Sequence, residues 1–274
     1  MSQNNQNPDG GFIGSEPHTA GLDDESVATW TEGHTETSQD GEGKTPKPPK
    51  NLLDGMIKAL RPKQWVKNVL VVAAPAAAGG DMLFHGDVIR DIVIAFVVFC
   101  LGASSIYLIN DARDVDADRA HPTKRFRPIA AGVLPVSLAY VMAVVLIVAS
   151  IGLSFLASNG PELALVIAIY IALQLGYCFG WKHQPVIDIA LVSSGFMLRT
   201  MAGGVAADIE LSQWFLLIAA FGSLFMAAGK RYAELKLAMR SGAKIRKSLE
   251  SYPPTYLRFV WTMAATAVVV FYAL

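Results

Sequence analysis

Runs of about twenty predominantly apolar residues recur along the chain, at about 66–84, 88–109, 133–157, 162–180, 185–204, 211–229 and 256–274, with short polar connections between them. Each run is sized for a bilayer. A lipid-exposed segment must satisfy its own backbone hydrogen bonds, so the runs are expected to be helices. The pattern predicts an all-α, polytopic transmembrane helical bundle with about seven spans. The last run closes the sequence at VVVFYAL with no polar flank, as if the chain stopped inside or at the end of a span. Upstream of the first run, NLLDGMIKALRPKQWVKN places Leu53, Met56, Ile57 and Leu60 on one helical face, with Lys58, Arg61, Lys63 and Lys67 gathered towards its end. That is the pattern of an amphipathic helix lying on a membrane surface, its bases anchored by anionic head groups. Lys67, at the mouth of the first run, is the one expected to face inward.

Composition agrees: 53% of residues are hydrophobic and 17% charged, too apolar for an ordinary soluble chain. The formal net charge of zero hides an asymmetry. Residues 1–50 hold nine acidic and three basic side chains among many Gly, Ser, Thr and Pro, and predict a disordered, polar cytoplasmic tail ahead of a transmembrane catalytic domain at 51–274. That tail has no basic n-region followed by an apolar core, so it does not read as a signal peptide. Cys100 and Cys178 lie in apolar runs without metal-ligand spacing and read as buried structural thiols. Of the 23 Lys and Arg residues, all but Arg90 and Arg199 lie before or at the mouth of the first run or in the loops 110–132, 181–184 and 230–255 and their immediate flanks. The positive-inside rule therefore predicts a multi-pass protein of the cell (plasma) membrane with its N-terminus and these basic loops cytoplasmic.

The richest chemistry is in NDARDVDADRAHPTKRFRPIAAG, residues 110–132. Tyr107, Asn110, Asp111, Asp114 and Asp118 fall at i, i+3, i+4, i+7 and i+11, one helical stripe continuing from the second run, while Asp116 falls on the other side. Carboxylates gathered on one face repel each other unless a hard cation neutralises them. Mg²⁺ bound by carboxylates completes its shell with water and substrate phosphate oxygens, so the implied ligand is a diphosphate. Lys124, Arg125 and Arg127 follow closely and suit phosphate. The bland alternative is a solvated loop whose acids and bases pair with each other.

The N-D-x-x-D-x-x-x-D pattern at the end of a span resembles that of the UbiA-type membrane prenyltransferases, over roughly residues 52–274. The segments RPKQWVKN (61–68), 110–132, KHQPVIDIALVSSGFMLR (182–199) and GKRYAEL (229–235) are similar to the branch of that superfamily that makes actinobacterial cell-wall precursors by phosphoribosyl transfer. The resemblance implies a Mg²⁺-dependent transfer from 5-phosphoribosyl 1-diphosphate to a polyprenyl phosphate, with pyrophosphate released. It implies that Asn110, Asp111, Asp114 and Asp118 hold the metal, the three aspartates being the catalytic set. Lys67, Tyr107 and Lys124 are the first choices for gripping donor or lipid phosphate, with Arg125 and Arg127 beside them. Lys182 and His183 are candidates for the second phosphate, and Tyr177, Asp188, Lys230 and Arg231 are further candidates near it. Tyr177 and His183 also read as interfacial anchors. Arg199, inside a run, is expected to snorkel outward or to meet Asp208 or Glu210.

Two departures from the superfamily pattern matter. Prenyl-diphosphate transferases usually carry a second Asp-rich motif in the loop after the sixth helix. Here that loop, KRYAELKLAMRSGAKIRKSLESY, is basic, which suits a phosphate without its own metal clamp. The superfamily also has about nine helices against the seven counted, so the last two are absent from this chain or the count is short. The rival readings are an aromatic prenyltransferase and, from a different class, a transporter of a phosphorylated solute; the polar cluster at helix ends and the lack of an internal repeat disfavour the transporter. The bilayer is an expected partner, nucleic acid is not, and a homo-oligomer is compatible with the sequence. Gly195, Gly203, Gly204 and Gly222 read as sites of close helix approach.

Overall fold

The computed structural model describes residues 48–79, 83–241 and 252–274; the expected tail, apart from its last three residues, and the basic stretch 242–251 lie outside the described residues. The chain opens with helix α1 (Leu52–Ala59), capped by Asn51, whose Oδ1 accepts from the Asp54 N–H at 2.8 Å. The Asp54 carboxylate accepts from Lys58 Nζ at 2.8 Å and from the Lys50 N–H at 2.9 Å, and these bonds, Lys58 first, hold it below the ordinary carboxylate range. The single apolar face expected for α1 divides into two i,i+4 rows. Met56 and Leu60 pack on a cluster around Leu108, Ile129 and Leu134, while Leu53 and Ile57 are exposed.

A 3-10 helix (Pro62–Val72) and the short α2 (Ala73–Ala78) follow. Beyond them come α3 (Gly86–Arg113), α4 (Val115–Ala120), α5 (Val136–Ser154), α6 (Gly160–Cys178), α7 (Ile187–Ala206), α8 (Gln213–Ser241) and α9 (Pro254–Ala273). Of these, α3 and α5 to α9 are long and apolar enough to cross a membrane, accounting for six of the seven expected runs among the described residues. Central α3 packs against α5, α6, α7 and the 3-10 segment. Its seam is built from small residues: Ala95, Ala103, Ser104 and Ser105 are buried, and Ser150 of α5 donates to the Val98 carbonyl at 2.9 Å. On the outer face of α5, Val141, Val144, Val145 and Val148 are exposed, as a lipid-facing row is.

The first run departs from a regular α-helical span for a physical reason. Its backbone is 3-10 over eleven residues, and irregular backbone at membrane depth is tolerated where protein buries it. Asn68, 1% exposed, points into the bundle, where Nδ2 donates to Cys100 Sγ at 3.2 Å and Oδ1 accepts from Arg199 Nε at 2.7 Å. Arg199 thus neither snorkels outward nor meets Asp208 or Glu210. It is buried, donating also to the Gly195 carbonyl at 2.7 Å and to Tyr170 Oη at 2.8 Å; Asp208 instead accepts from Asn159 Nδ2 at 3.1 Å. The 3-10 segment lies directly on α7 because Gly203 has no side chain: a Cβ there would sit 1.8 Å from the Val71 carbonyl oxygen. Gly203→Ala is expected to destabilise the protein by ~1–3 kcal/mol or more through overpacking against backbone that cannot give way. Thermal unfolding in detergent checks this, and an unchanged midpoint contradicts it. Gly222, by contrast, has open space around it.

Candidate active site

The C-terminal ends of α3 and α6, the N-terminal end of α7 and the second half of α8 meet at one end of the bundle, and most of the charged side chains expected to act gather there. Asn110 and Asp111 ride on the last turn of α3. Asp114 is the hinge between α3 and α4, with φ −91° and ψ 13°. The backbone stays nearly helical across it, the Asp114 N–H donating to the Asn110 carbonyl at 2.9 Å and the Asp118 N–H to the Asp114 carbonyl at 2.8 Å. The stripe therefore survives the break: Asp111 and Asp118 are buried on the same side, and Asp116 is exposed and paired with Arg119.

Cations stand against each of these aspartates. Arg127 Nη1 lies 3.1 Å from Asp111 Oδ1 and 2.8 Å from Asp118 Oδ2, bridging the two carboxylates. Arg61 Nη2 lies 2.7 and 2.9 Å from the two oxygens of Asp111, its guanidinium 4.8 Å above the Tyr107 ring. Lys182 Nζ lies 2.9 and 2.7 Å from the two oxygens of Asp114. Cys178, at the end of α6, donates from Sγ to Asn110 Oδ1 at 3.8 Å.

Local sequence explains how these cations arrive. After the 3-10 turn Lys124–Phe126, the segment RPIAAGVL folds back on itself, the Ala131 N–H donating to the Arg127 carbonyl at 2.8 Å and the Leu134 N–H to the Pro128 carbonyl at 3.0 Å. Ile129 and Leu134, both 1% exposed, anchor it in the apolar cluster shared with α1, so Arg127 is held over the stripe. Arg61 precedes Pro62, which disfavours the right-handed helical region for it. It adopts a left-handed conformation (φ 54°, ψ 58°) that ends α1.

Lys182 sits in the 3-10 turn Trp181–His183, and Val186 just after it has φ 67° and ψ −50°, a rare conformation for a β-branched residue. The Ile187 N–H donates to the Pro185 carbonyl at 2.8 Å, closing a γ-turn around Val186. The Val186 N–H donates to Tyr252 Oη, and burial pushes that hydroxyl's pKa up. The turn brings Asp188 into a buried pair with Arg231 of α8: Nε to Oδ2 is 2.6 Å and Nη2 to Oδ1 is 2.9 Å, with Glu234 on Nη1 at 2.9 Å.

The expected site residues thus fall into groups. Asn110, Asp111, Asp114, Asp118, Tyr107, Arg127 and Lys182 are brought together. Asp188 and Arg231 engage each other. Lys67, Lys124 and Tyr177 are half-buried; Arg125, lying over the Phe126 ring at 4.9 Å, is exposed, as are His183 and Lys230. Arg61, read from the sequence as a lipid anchor, belongs to the site; its place directly before a proline at the end of an amphipathic helix was the available signal.

Among the described residues no three His, Cys, Asp or Glu side chains are arranged as a metal cage. The donor set nonetheless fits a hard divalent cation: three carboxylates and an amide oxygen on two adjoining helical segments, all hard oxygen ligands, two of the carboxylates already converging on one positive nitrogen.

Residues 69–274 match the UbiA prenyltransferase family. The chain is 73% identical to a Corynebacterium glutamicum protein named decaprenyl-phosphate phosphoribosyltransferase, over 96% of this chain and 74% of that protein. Proteins of the same name from Mycolicibacterium smegmatis and Mycobacterium tuberculosis are 68% and 63% identical, each over 83% of this chain and 71% and 75% of theirs. Among solved structures, a UbiA homolog from Archaeoglobus fulgidus bound to GPP and Mg²⁺ superposes with a TM-score of 0.65 at 16% identity, over 80% of this chain and 76% of that one, a likeness of fold. A multi-pass helical bundle whose α3 ends in an aspartate stripe, matched by the family over three-quarters of its length, makes this chain a member of the UbiA prenyltransferase family.

Proposed function

We propose that the chain transfers the 5-phosphoribosyl group from 5-phosphoribosyl 1-diphosphate to a polyprenyl phosphate, decaprenyl phosphate by the relatives' name, releasing pyrophosphate and supplying a lipid-linked precursor of cell-wall arabinan. The observation that carries this reading is the 73% identity, over nearly the whole chain, to a relative named for that activity. The site geometry agrees with it. One aspartate stripe is interleaved with Arg61, Arg127 and Lys182, and α8 carries Lys230 and Lys236 where a second acidic motif would stand, its Arg231 being engaged by Asp188.

Mg²⁺ would be held by Asn110, Asp111, Asp114 and Asp118, and when bound it supplies charge neutralisation for the diphosphate leaving group. The chain's own residues orient the reactants. Arg127 and Lys182, which face the stripe's carboxylates, would meet phosphate oxygens, and Lys67, Tyr107, Lys124, Arg125, Tyr177, His183 and Lys230 are the further candidates for gripping donor or lipid phosphate. The bond from ribose C1 to the diphosphate oxygen breaks with oxocarbenium character at C1, and a lipid phosphate oxygen forms the new bond from the opposite face. That oxygen is already ionised near neutral pH, so no protein nucleophile is required. Catalysis is then positioning and electrostatic stabilisation. The lysine and arginine asymmetry supports a plasma-membrane location with this end of the bundle cytoplasmic.

The test is to give detergent-purified protein 5-phosphoribosyl 1-diphosphate and a polyprenyl phosphate, with Mg²⁺ or with a chelator, and to count pyrophosphate against ribosylated lipid. Equimolar, Mg²⁺-dependent appearance of both is expected. Pyrophosphate without lipid product would mean simple donor hydrolysis and would overturn the proposed acceptor.

A further inference from the structure

The structure assigns Tyr252 a positioning role: its hydroxyl holds the strained turn at Val186 and, through that turn, the reach of Lys182 to the aspartate stripe. This rests on the proposal that Lys182 grips a substrate phosphate. It deepens that proposal by naming a residue outside the charged cluster on which the grip depends.

A γ-turn with positive φ is rare for any residue and unfavourable for a β-branched one, yet Val186 adopts it (φ 67°, ψ −50°). Packing does not hold it there, because the Val186 side chain is exposed. Backbone strain persists only where the surroundings over-determine it. Here they do so through hydrogen bonds. The Ile187 N–H closes the turn on the Pro185 carbonyl at 2.8 Å, and the Ala190 N–H donates to the Val186 carbonyl at 2.9 Å. Both bonds are local. The Val186 N–H donates to Tyr252 Oη, which comes from a part of the chain 66 residues away.

Tyr252 is itself fixed. It stands just ahead of α9, buried, its ring stacked on that of Tyr256 with centroids 5.8 Å apart. It packs in one apolar cluster with Ile189 of α7, Ala227 and Leu235 of α8 and Leu257 of α9. Three spans thus present one hydroxyl to one backbone N–H.

The connection from α6 to α7 is thereby held at both ends. At its start Trp181 lies on the bare backbone of Gly176 in α6, where a Cβ would fall 2.5 Å from the indole ring. At its end Tyr252 holds Val186. Lys182 stands between these anchors, its Nζ 2.9 and 2.7 Å from the two oxygens of Asp114. Relaxation of Val186 to negative φ would rotate the chain between the anchors and turn Lys182 away from Asp114.

The test is Tyr252→Phe, which keeps the ring and its stack and removes the oxygen. In the full detergent-purified chain, amide hydrogen exchange over residues 181–188 is expected to quicken about tenfold, the scale of one residue's strain, while α8 and α9 keep their protection. The KM of the substrate that Lys182 grips, donor or lipid phosphate, should rise about tenfold with kcat within about threefold, as when a grip made alike in ground and transition states is lost. Val186→Gly separates holding from packing, since glycine takes this turn without steric conflict. Added to Tyr252→Phe, it is expected to bring that KM back to within about threefold of the unsubstituted chain. A KM rise that Val186→Gly leaves standing would show that Tyr252 acts by packing and would overturn the proposal. Unchanged KM for both substrates in Tyr252→Phe would overturn it too. So would exchange at the turn of the unsubstituted chain as fast as in an unstructured peptide, a result that requires neither a folded variant nor a substrate. If no chain transfers phosphoribose, the proposed function falls, and exchange at the turn with and without the Tyr252 hydroxyl still decides whether Tyr252 holds it. Normal transfer with exchange unaltered by Tyr252→Phe overturns the hold and leaves the function standing.

Discussion

Asp114→Asn is expected to lower turnover by about 10²–10³-fold while leaving the fold intact, the scale on which removing one preorganised electrostatic group from a reacting centre acts. Asp114 is well suited to separate chemistry from stability. Its carboxylate is half-exposed, it accepts from Lys182 Nζ, and it makes no side-chain cap on α4. Asparagine keeps the shape and an oxygen but removes the charge that a divalent cation needs. A partly exposed ion pair contributes little to stability, about 0–1 kcal/mol. Pyrophosphate release and thermal unfolding in the same detergent therefore should diverge. Turnover within tenfold of the unsubstituted chain would remove Asp114 from the catalytic set. Asp111 would be a poorer test, because it is buried and its carboxylate is shared by Arg61 and Arg127, so neutralising it disturbs two ion pairs at once.

The largest stability effect is expected at the other charged pair. Asp188 is fully buried and the Arg231 side chain is 5% exposed, and they meet through two short bonds between α7 and α8. Truncating one partner leaves an uncompensated buried charge, so Asp188→Leu or Arg231→Met alone should cost ~3–5 kcal/mol. Replacing both together should recover most of that loss, because apolar groups of similar size need no partner there. Unfolding midpoints of the two single variants and the double variant close the cycle. Additive losses in the double variant would show that the two side chains act independently and would return them to the pool of direct substrate contacts.

How far the sequence could be read depended on whether the relevant physics is local. Six of the apolar runs became helices because length and apolarity suffice to specify a buried, self-satisfied backbone. The stripe at Asp111, Asp114 and Asp118 was legible because helical spacing is a local property, and it survived even the hinge at Asp114. The first run misled because hydropathy reports burial and not backbone type; its 3-10 geometry is set by Asn68 reaching Arg199, 131 residues away, and by the bare backbone of Gly203. Arg61 was missed for a related reason. A basic residue at the edge of a membrane looks the same whether it anchors lipid or reaches an aspartate 50 residues on. The Asp188–Arg231 pair, 43 residues apart, likewise has no local signature. The acids and bases of the mixed-charge loop do pair with each other, as one reading of the sequence expects, yet they do so on the buried stripe and not in a solvated coil.

The most direct test of the whole account is the mass of the lipid product. The purified chain is offered a polyprenyl phosphate with Mg²⁺ and 5-phosphoribosyl 1-diphosphate, and in parallel an aromatic acceptor with a prenyl diphosphate. A lipid heavier by one phosphoribosyl group is expected from the first reaction and no product from the second. A prenylated aromatic product, with the polyprenyl phosphate unchanged, would contradict it.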